Sequence, residues 1–372
     1  MKRFIKTNWN YAAITTAIVL AAGAAQAATN EPALLLGEPK TISKNHLILS
    51  YRLGLNITAD FRRFGGFPAL TDPGPDTGAT ANRNYDNGYN RVDITGNNHQ
   101  PGFPDTTWNW GFQGGDAVQG NSIVLHSTSS PANAVSKNND DGVNHGFEIS
   151  YQRELARAAK WRGGLEVAFG FTTLSINDER VLHNEVNQIT DTFSMPGGVE
   201  VIPGYPFGPN DSYSGSYNGP GPLLNSSLDP GQRVRAVLTD VTTITGRRQL
   251  DADIYLFRLG PYVEFPLTEK LSLFVNGGLN IAVSATDFSF TETVTFDNAT
   301  RAVRTDAGSQ ADVLVGGYAG GGLSYALTDR WGVLAGAQLQ TAGRSINEQG
   351  GKQSVLNMGE TVVVTVGVSY SF

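Results

Sequence analysis

TVVVTVGVSYSF, residues Thr361 to Phe372, sets one kind of side chain against another at every second position. Val362, Val364, Val366, Val368, Tyr370 and Phe372 fall on one face of an extended strand; Thr361, Thr365, Gly367, Ser369 and Ser371 fall on the other. Such a strand suits a wall with lipid outside and a polar interior. The pattern predicts the closing strand of a membrane-spanning antiparallel barrel.

The same alternation recurs at the other end of the chain. Leu47, Leu49, Tyr51, Leu53, Leu55, Ile57, Ala59 and Phe61 are apolar, with Ser50, Arg52, Gly54, Asn56, Thr58 and Asp60 between them. This period-2 pattern outlasts a typical soluble strand. Three more places read as strand, tight turn, strand: around Ala156 to Lys160, Pro266 to Lys270 and Leu327 to Arg330. Leu267-Thr268-Glu269-Lys270 and Leu327-Thr328-Asp329-Arg330 match closely enough to be equivalent turns. Placing the short turns on the periplasmic side and the long connections outside predicts an all-β, up-and-down transmembrane β-barrel of eight strands: 47–61, 143–155, 161–176, 250–265, 271–286, 311–326, 331–342 and 355–372. Ten or twelve strands is the alternative, if the first long loop contributes a hairpin. The long loops are 62–142 and 177–249, with shorter ones at 288–310 and 342–354.

Composition agrees with an exported surface protein. Lys2, Arg3 and Lys6 precede an apolar run from Ala12 to Ala22 and a small-residue site at Ala25-Gln26-Ala27, so 1–27 reads as a cleaved secretory signal peptide and 28–45 as a periplasmic leader. No later run is long and apolar enough for a spanning helix. The chain has 27 basic and 34 acidic residues; without the three basic residues of the signal peptide the balance is 24 against 34, a net charge of −10. Such a chain has no electrostatic reason to bind nucleic acid. Cysteine is absent, which removes disulfides and thiolate metal sites.

Aromatic placement supports the membrane reading. Tyr151, Trp161, Phe265, Trp331, Tyr370 and Phe372 fall near the short-turn ends, where a periplasmic girdle belongs, and Phe61, Phe64, Phe171, Tyr255 and Phe288 are the expected upper girdle. Two features of the fourth strand are untidy: Ile254 and Leu256 are apolar on the inward register, and Pro261 removes a ladder donor. The glycines at 316, 317 and 320–322, and at 277 and 278, fit a curved, narrow barrel and no nucleotide motif.

The residues resemble the small outer-membrane β-barrels of the OmpA transmembrane-domain and OmpX kind. The last eight residues carry the likeness, with Thr365 at the polar position, Gly367 at the glycine, and Tyr370 and Phe372 at the paired aromatic positions of a terminal assembly signal. The resemblance implies recognition by the outer-membrane assembly machinery and an outer-membrane location. It covers the barrel parts and not the two longest loops, and no periplasmic peptidoglycan-binding domain is expected after the last strand.

Candidate functional residues lie inside the barrel and in the loops. Arg52, Glu148, Arg162, Glu166, Arg258 and Glu264 fall on the inward register, where charges must pair because desolvating them is costly. They are expected to form a plug of salt bridges; a gated pore that switches partners is the alternative. In the first long loop, Tyr85, Tyr89, Trp108 and Trp110 form either the core of a folded cap or a platform for a glycan or other surface. Pro203 to Pro222, with Tyr205, Tyr213 and Tyr217, reads as a mobile surface loop or an adhesive segment. His46, His99, His126, His145 and His183 show no zinc spacing, and neither His126 with Thr128 nor His145 with Glu148 completes a catalytic constellation. The Asn138 to Gly142 stretch offers oxygen ligands without the calcium-loop pattern. No metal, cofactor or enzymatic activity is expected. The expected role is structural or interactive at the cell surface, with outer-membrane lipid as a partner; a small-solute channel and a lipid- or peptide-modifying enzyme are the alternatives.

Overall fold

The computed structural model describes residues 44–68, 71–75, 82–91, 106–140, 142–195, 197–216, 220–225, 233–296 and 299–372. The signal peptide, nearly all of the leader, His99, Asp141 and Tyr217 lie outside the described residues.

Among the described residues, eight strands form a closed antiparallel ring. They are β1 (Asn45–Leu55), β2 (Asn144–Ala158), β3 (Trp161–Asp178), β4 (Arg248–Pro266), β5 (Leu271–Phe296), β6 (Ala299–Ala326), β7 (Trp331–Thr341) and β8 (Thr361–Ser371). Each pairs with its sequence neighbours in the ring, and β8 closes onto β1 from His46↔Ser371 to Leu55↔Val362. Closure satisfies every ring edge, as a strand structure in lipid requires. Further strands continue the sheet beyond the ring's upper rim, where Thr243–Thr245 pair with the upper part of β5.

The two equivalent turns are built alike. Leu267 and Thr268 donate to the Leu271 carbonyl at 2.8 and 3.0 Å, as Leu327 and Thr328 do to Trp331 at 2.9 and 3.0 Å. In each, a threonine hydroxyl accepts from the following backbone: Thr268 from Leu271 at 2.9 Å, Thr328 from Trp331 at 3.0 Å.

Above the barrel the structure corrects the expected boundaries. The first strand does not run through 47–61, because Asn56 takes a left-handed φ of 63° and reverses the facing of the chain. Below Asn56 the odd-numbered residues face out; above it Ile57, Ala59 and Phe61 are buried. The segment Thr58–Phe64 pairs instead with Lys352–Asn357 and Ala134–Asn139. Unbroken period-2 hydrophobicity thus serves lipid contact first and a protein core second. Phe61, Phe64 and Phe288 are therefore not girdle residues: they join Leu174, Ile254 and Leu256 in an apolar core.

The expected loop at 288–310 is a continuation of β5 and β6, which pair as far as Phe296↔Ala299. The one at 342–354 contains most of the hairpin Arg344–Gln349/Lys352–Asn357. The second long loop carries strands Leu182–Ser194 and Arg233–Thr245, which pair with each other, and Ser122–Ser129 adds to the former. Together these elements form an extracellular β-rich head.

Candidate functional site

At mid-barrel four inward charges meet in one layer. Arg258 Nη2 lies 2.5 Å from Glu148 Oε1 and its Nη1 lies 3.1 Å from Glu166 Oε1. Arg52 Nη1 lies 3.0 Å from Glu148 Oε2. All four side chains are at least nine-tenths buried. Gly170 makes the room: a Cβ there would stand 2.4 Å from Arg52 Nη1. Glu166 also accepts from Gln152 at 2.6 Å and Asn276 at 3.2 Å, and the Arg258 guanidinium sits 4.5 Å from the centre of the Tyr318 ring. Two cations and two carboxylates leave the layer neutral, which limits the cost of holding them away from water. Closer to the short turns, Arg162 and Glu264 form a bidentate pair at 2.7 and 3.0 Å.

This layer divides the lumen. Above it, inward Leu174, Ile254, Leu256 and Ala282 pack with Ile57 and Phe61, and Phe61 stacks on Phe288 at 5.9 Å between ring centres. Ile254 and Leu256, untidy as parts of a polar lumen, are the upper plug. Below the layer, a cavity of about 400 Å³ opens at the tight turns.

The outer surface between the rims is apolar, with Leu49, Val167, Leu259, Val315 and Val366 exposed. Tyr151, Trp161, Phe265 and Trp331 fringe its short-turn end, where Trp331 packs against Tyr370 at 4.9 Å and Tyr370 against Phe372 at 6.2 Å. At the other end Tyr51 contacts Phe147, Phe169 contacts Phe257, and Phe171 contacts Tyr255 at 5.4, 5.1 and 5.1 Å. A closed strand ring wearing an apolar belt between aromatic fringes has one environment that suits it. The chain is an outer-membrane β-barrel.

No family model matches the sequence and no curated protein matches it. Among solved structures, it is similar to the attachment invasion locus protein Ail of Yersinia pestis in complex with a heparin analogue, at 8% identity over 88% of this chain and 99% of that one, TM-score 0.27. The outer membrane protease OmpT of Escherichia coli gives 9% identity over 90% and 99%, TM-score 0.31. The translocator domain of the autotransporter NalP of Neisseria meningitidis gives 10% over 96% and 97%, TM-score 0.21. Superpositions at these scores carry no weight; the strand ring and its belt do.

The junction of barrel and head is held by charge that the sequence reading missed. The β3–β4 pairing ends at Asp178↔Arg248, and the two side chains form a 2.9 Å ion pair, each 1% exposed. Arg180 adds a 2.8 Å contact to Asp178, and Arg248 lies 5.3 Å from the Phe64 ring centre. Burial acts to raise the Asp178 pKa, but hydrogen bonds from Ser136 and Arg180 and the Arg248 charge outweigh it and hold the carboxyl below its ordinary range. Lys352 approaches the other side of the junction, 2.9 Å from the fully buried Glu292. A charged residue recurring on the inward register of a strand that outruns the membrane was the available signal.

The head has a core of its own, including Tyr85, Trp110, Phe112, Leu125 and Phe193. Tyr85 and Trp110 are thus not platform residues: Trp110 is fully buried and donates to the Pro222 carbonyl at 2.8 Å, while the Tyr85 hydroxyl donates to Asp191. Asp191, also buried, receives Arg235 at 2.8 Å, and these hydrogen bonds raise the Arg235 pKa. Tyr89 and Trp108 remain partly exposed, with Arg91 5.4 Å from the Tyr89 ring centre. Within the Pro203 to Pro222 stretch, Phe207 and Tyr213 pack on this core and Tyr213 lies 4.6 Å from Trp110, so these two residues are not part of a mobile loop. Tyr205 stays exposed.

Other candidates are separated by the fold. His145 faces outward and contacts the Tyr51 hydroxyl at 2.5 Å, whereas Glu148 faces the lumen. His126 sits in the head, and burial lowers its pKa. Among the described residues no group of three histidines or carboxylates could hold a metal ion. Thr365 and Gly367 face the lumen on β8, and Phe372 exchanges backbone hydrogen bonds with Asn45 at 3.0 and 3.3 Å.

Proposed function

We propose that this protein is a sealed outer-membrane barrel that works at the cell surface, presenting its folded head to an external ligand. One observation carries the reading: the long connections bury their aromatics in a separate core, above a lumen blocked by paired charge and an apolar plug. A permeation channel needs neither, whereas a rigid contact surface needs a folded support. On that support Tyr89, beneath Arg91, and Trp108 supply exposed ring area for a glycan or another surface. The terminal residues Thr365, Gly367, Tyr370 and Phe372 serve assembly in this reading, and the lower aromatic girdle anchors the barrel in lipid.

The test pairs two measurements on the full chain in lipid nanodiscs and planar bilayers. A glycan array is expected to retain the protein, with binding lost in Tyr89→Ala/Trp108→Ala. Bilayers are expected to show no steady conductance. Array binding indifferent to both substitutions, together with steady channels, would reverse the assignment in favour of the small-solute channel.

A further inference from the structure

In the head, the strand Arg233–Thr245 is paired along one side over its length and along the other only at its base. Leu182–Ser194 takes the first side, from Leu182↔Ile244 to Phe193↔Arg233. On the second side, among the described residues, Thr243, Ile244 and Thr245 alone have a strand partner, at the end of β5. β5 ends at Phe296, so residues 234–241 run on past the tip of the β5–β6 hairpin with an open edge. The Val241 N–H is bonded at 2.7 Å to the side chain of its neighbour Asp240 rather than to a strand. Backbone groups alternate between the two edges of an antiparallel strand, so Arg235, Val237 and Thr239 direct theirs to the same open side.

This edge carries apolar side chains on both faces. Val234, Val237, Leu238 and Val241 are 61%, 66%, 46% and 54% exposed, and Ala236 is exposed among them. They stand in the head, where lipid does not reach them. A free edge is usually guarded by lysine, proline or a bulge. Residues 234–241 contain neither residue, and their ladder with Leu182–Ser194 keeps one register throughout. Arg235 is tied to Asp191, which leaves Asp240, at the barrel end of the stretch, as its guard.

We propose that this edge binds the same edge of a second copy of the chain, antiparallel, and that the second copy stands in a facing membrane. The stretch is self-complementary in that arrangement. With a two-fold axis at Val237, that residue meets Val237 of the second copy, Leu238 meets Ala236 in both directions, and Arg235 meets Thr239. Asp240 falls opposite Val234, so no like charges are opposed. Arg235, Val237 and Thr239 exchange backbone hydrogen bonds across the axis. The pairing uses 234–240 and stops at Val241, whose N–H is already taken and beyond which β5 begins. Symmetry then sets the direction. Antiparallel addition turns the second copy through half a turn about an axis perpendicular to the sheet. That sheet continues the barrel wall through β5 and stands along the barrel axis, so the half-turn inverts the barrel. Two copies related in this way have overlapping heads and barrels pointing apart. One strand edge is smaller than the roughly 1,200–2,000 Å² of a stable interface, and many copies on two facing surfaces supply the strength by avidity. The inference rests on the head lying outside the cell, as in the proposed function, and uses none of the ring area at Tyr89 and Trp108.

The test uses the full chain on two populations of cells, each displaying a differently tagged form. Mixed cells are expected to settle together, and cells without the protein to stay out of the clumps. Val237→Pro, which removes an N–H from the open edge, is expected to abolish settling, whereas Val201→Lys, at an exposed site elsewhere in the head, leaves it unchanged. Heat-modifiable mobility and protease resistance of the head establish that both variants are folded. Glycan-array retention should be the same in Val237→Pro as in the unchanged protein, and settling by protein that no glycan retains would remove the ring platform and leave this inference standing. Because the chain has no cysteine, Val237→Cys gives a second readout that does not depend on a loss. Hydrogen-bonded antiparallel partners stand about 5.5 Å apart between Cα atoms, within disulfide reach. Mild oxidation of mixed cells is therefore expected to join the two tags in Val237→Cys and not in Thr239→Cys, which falls opposite Arg235. Absence of settling by the unchanged protein would overturn the inference. So would clumps that admit protein-free cells, disulfides formed only between tags displayed on one cell, or Val237→Cys joining no better than Thr239→Cys.

Discussion

Arg258→Ala removes the cation shared by both interior carboxylates. Glu148 would keep Arg52 at 3.0 Å, but Glu166 would be left with the amides of Gln152 and Asn276 at 2.6 and 3.2 Å. Removing one partner of a buried ion pair costs about 3–5 kcal/mol. The cavity beneath lets water reach the orphaned carboxylate, so the lower end, about 3 kcal/mol, is expected. At a urea slope of about 1–3 kcal/mol per molar, the unfolding midpoint in lipid vesicles should fall by roughly 1–3 M. Heat-modifiable mobility and tryptophan fluorescence would follow the transition together. Adding Glu166→Gln removes the orphaned charge and should recover about 1–2 kcal/mol, a coupling that a double-mutant cycle isolates. Conductance should stay absent in both variants, because the apolar plug lies above the charge layer. A loss below about 1 kcal/mol would refute the energetic account, and channels opening on Arg258→Ala would show that the charges, and not the plug, seal the lumen.

Phe61→Ala, which deletes a fully buried ring stacked on Phe288, should cost about 3–5 kcal/mol in the same urea assay. Gly246→Ala should loosen the head, since φ there is 130° and a Cβ would lie 2.1 Å from the Thr291 carbonyl oxygen; limited proteolysis of intact cells should then cut the head while the barrel stays heat-modifiable. Asp178 is held below its unfolded pKa of about 3.9, so its stabilisation is present above about pH 4 and is lost as pH falls through the lowered folded value. Protease resistance of the head should accordingly persist to about pH 4 and fail below it, and Asp178→Asn should weaken it at neutral pH and flatten that acid limb. Phe372→Ala should reduce the amount of protein assembled into the membrane fraction without lowering the unfolding midpoint of what is assembled by more than about 1 kcal/mol.

The barrel was legible because each of its strands meets two unlike media. Lipid outside and a polar lumen inside print an alternation on Leu47 to Leu55 and on Thr361 to Phe372 that few other environments require. The inward charges were legible for the same reason, since only register decides which side of the wall Arg52 or Glu148 faces. What failed was the end of the membrane. Alternation continues past Asn56 without a mark, although one left-handed residue exchanges inside for outside. Threonine-rich Thr291 to Thr295 looked like loop because its hydroxyls are as content in water as in a ladder. A folded cap was one of two readings open for Tyr85 and Trp110, but its partners could not be read: Tyr85, Trp110 and Tyr213 lie far apart in a Gly- and Pro-rich sequence, and only tertiary pairing brings them together. Partners of Asp178 and Asp191 are as distant, at positions 248 and 235.

The strands β5 and β6 are 26 and 28 residues long and pass from the membrane into the head without a break. Roughly 9–11 residues cross the apolar band, so at about 3.4 Å per residue β5 carries some 50 Å of itself beyond the bilayer. Mechanically the head is then a lever continuous with its anchor. A tug on a bound surface would load the β5–β6 ladder lengthwise, in shear, where many hydrogen bonds must yield at once. The β3–β4 side is jointed at Asp178 and Arg248, and there the same tug would concentrate on one ion pair. Under force the head should hinge toward its continuous side before it tears free.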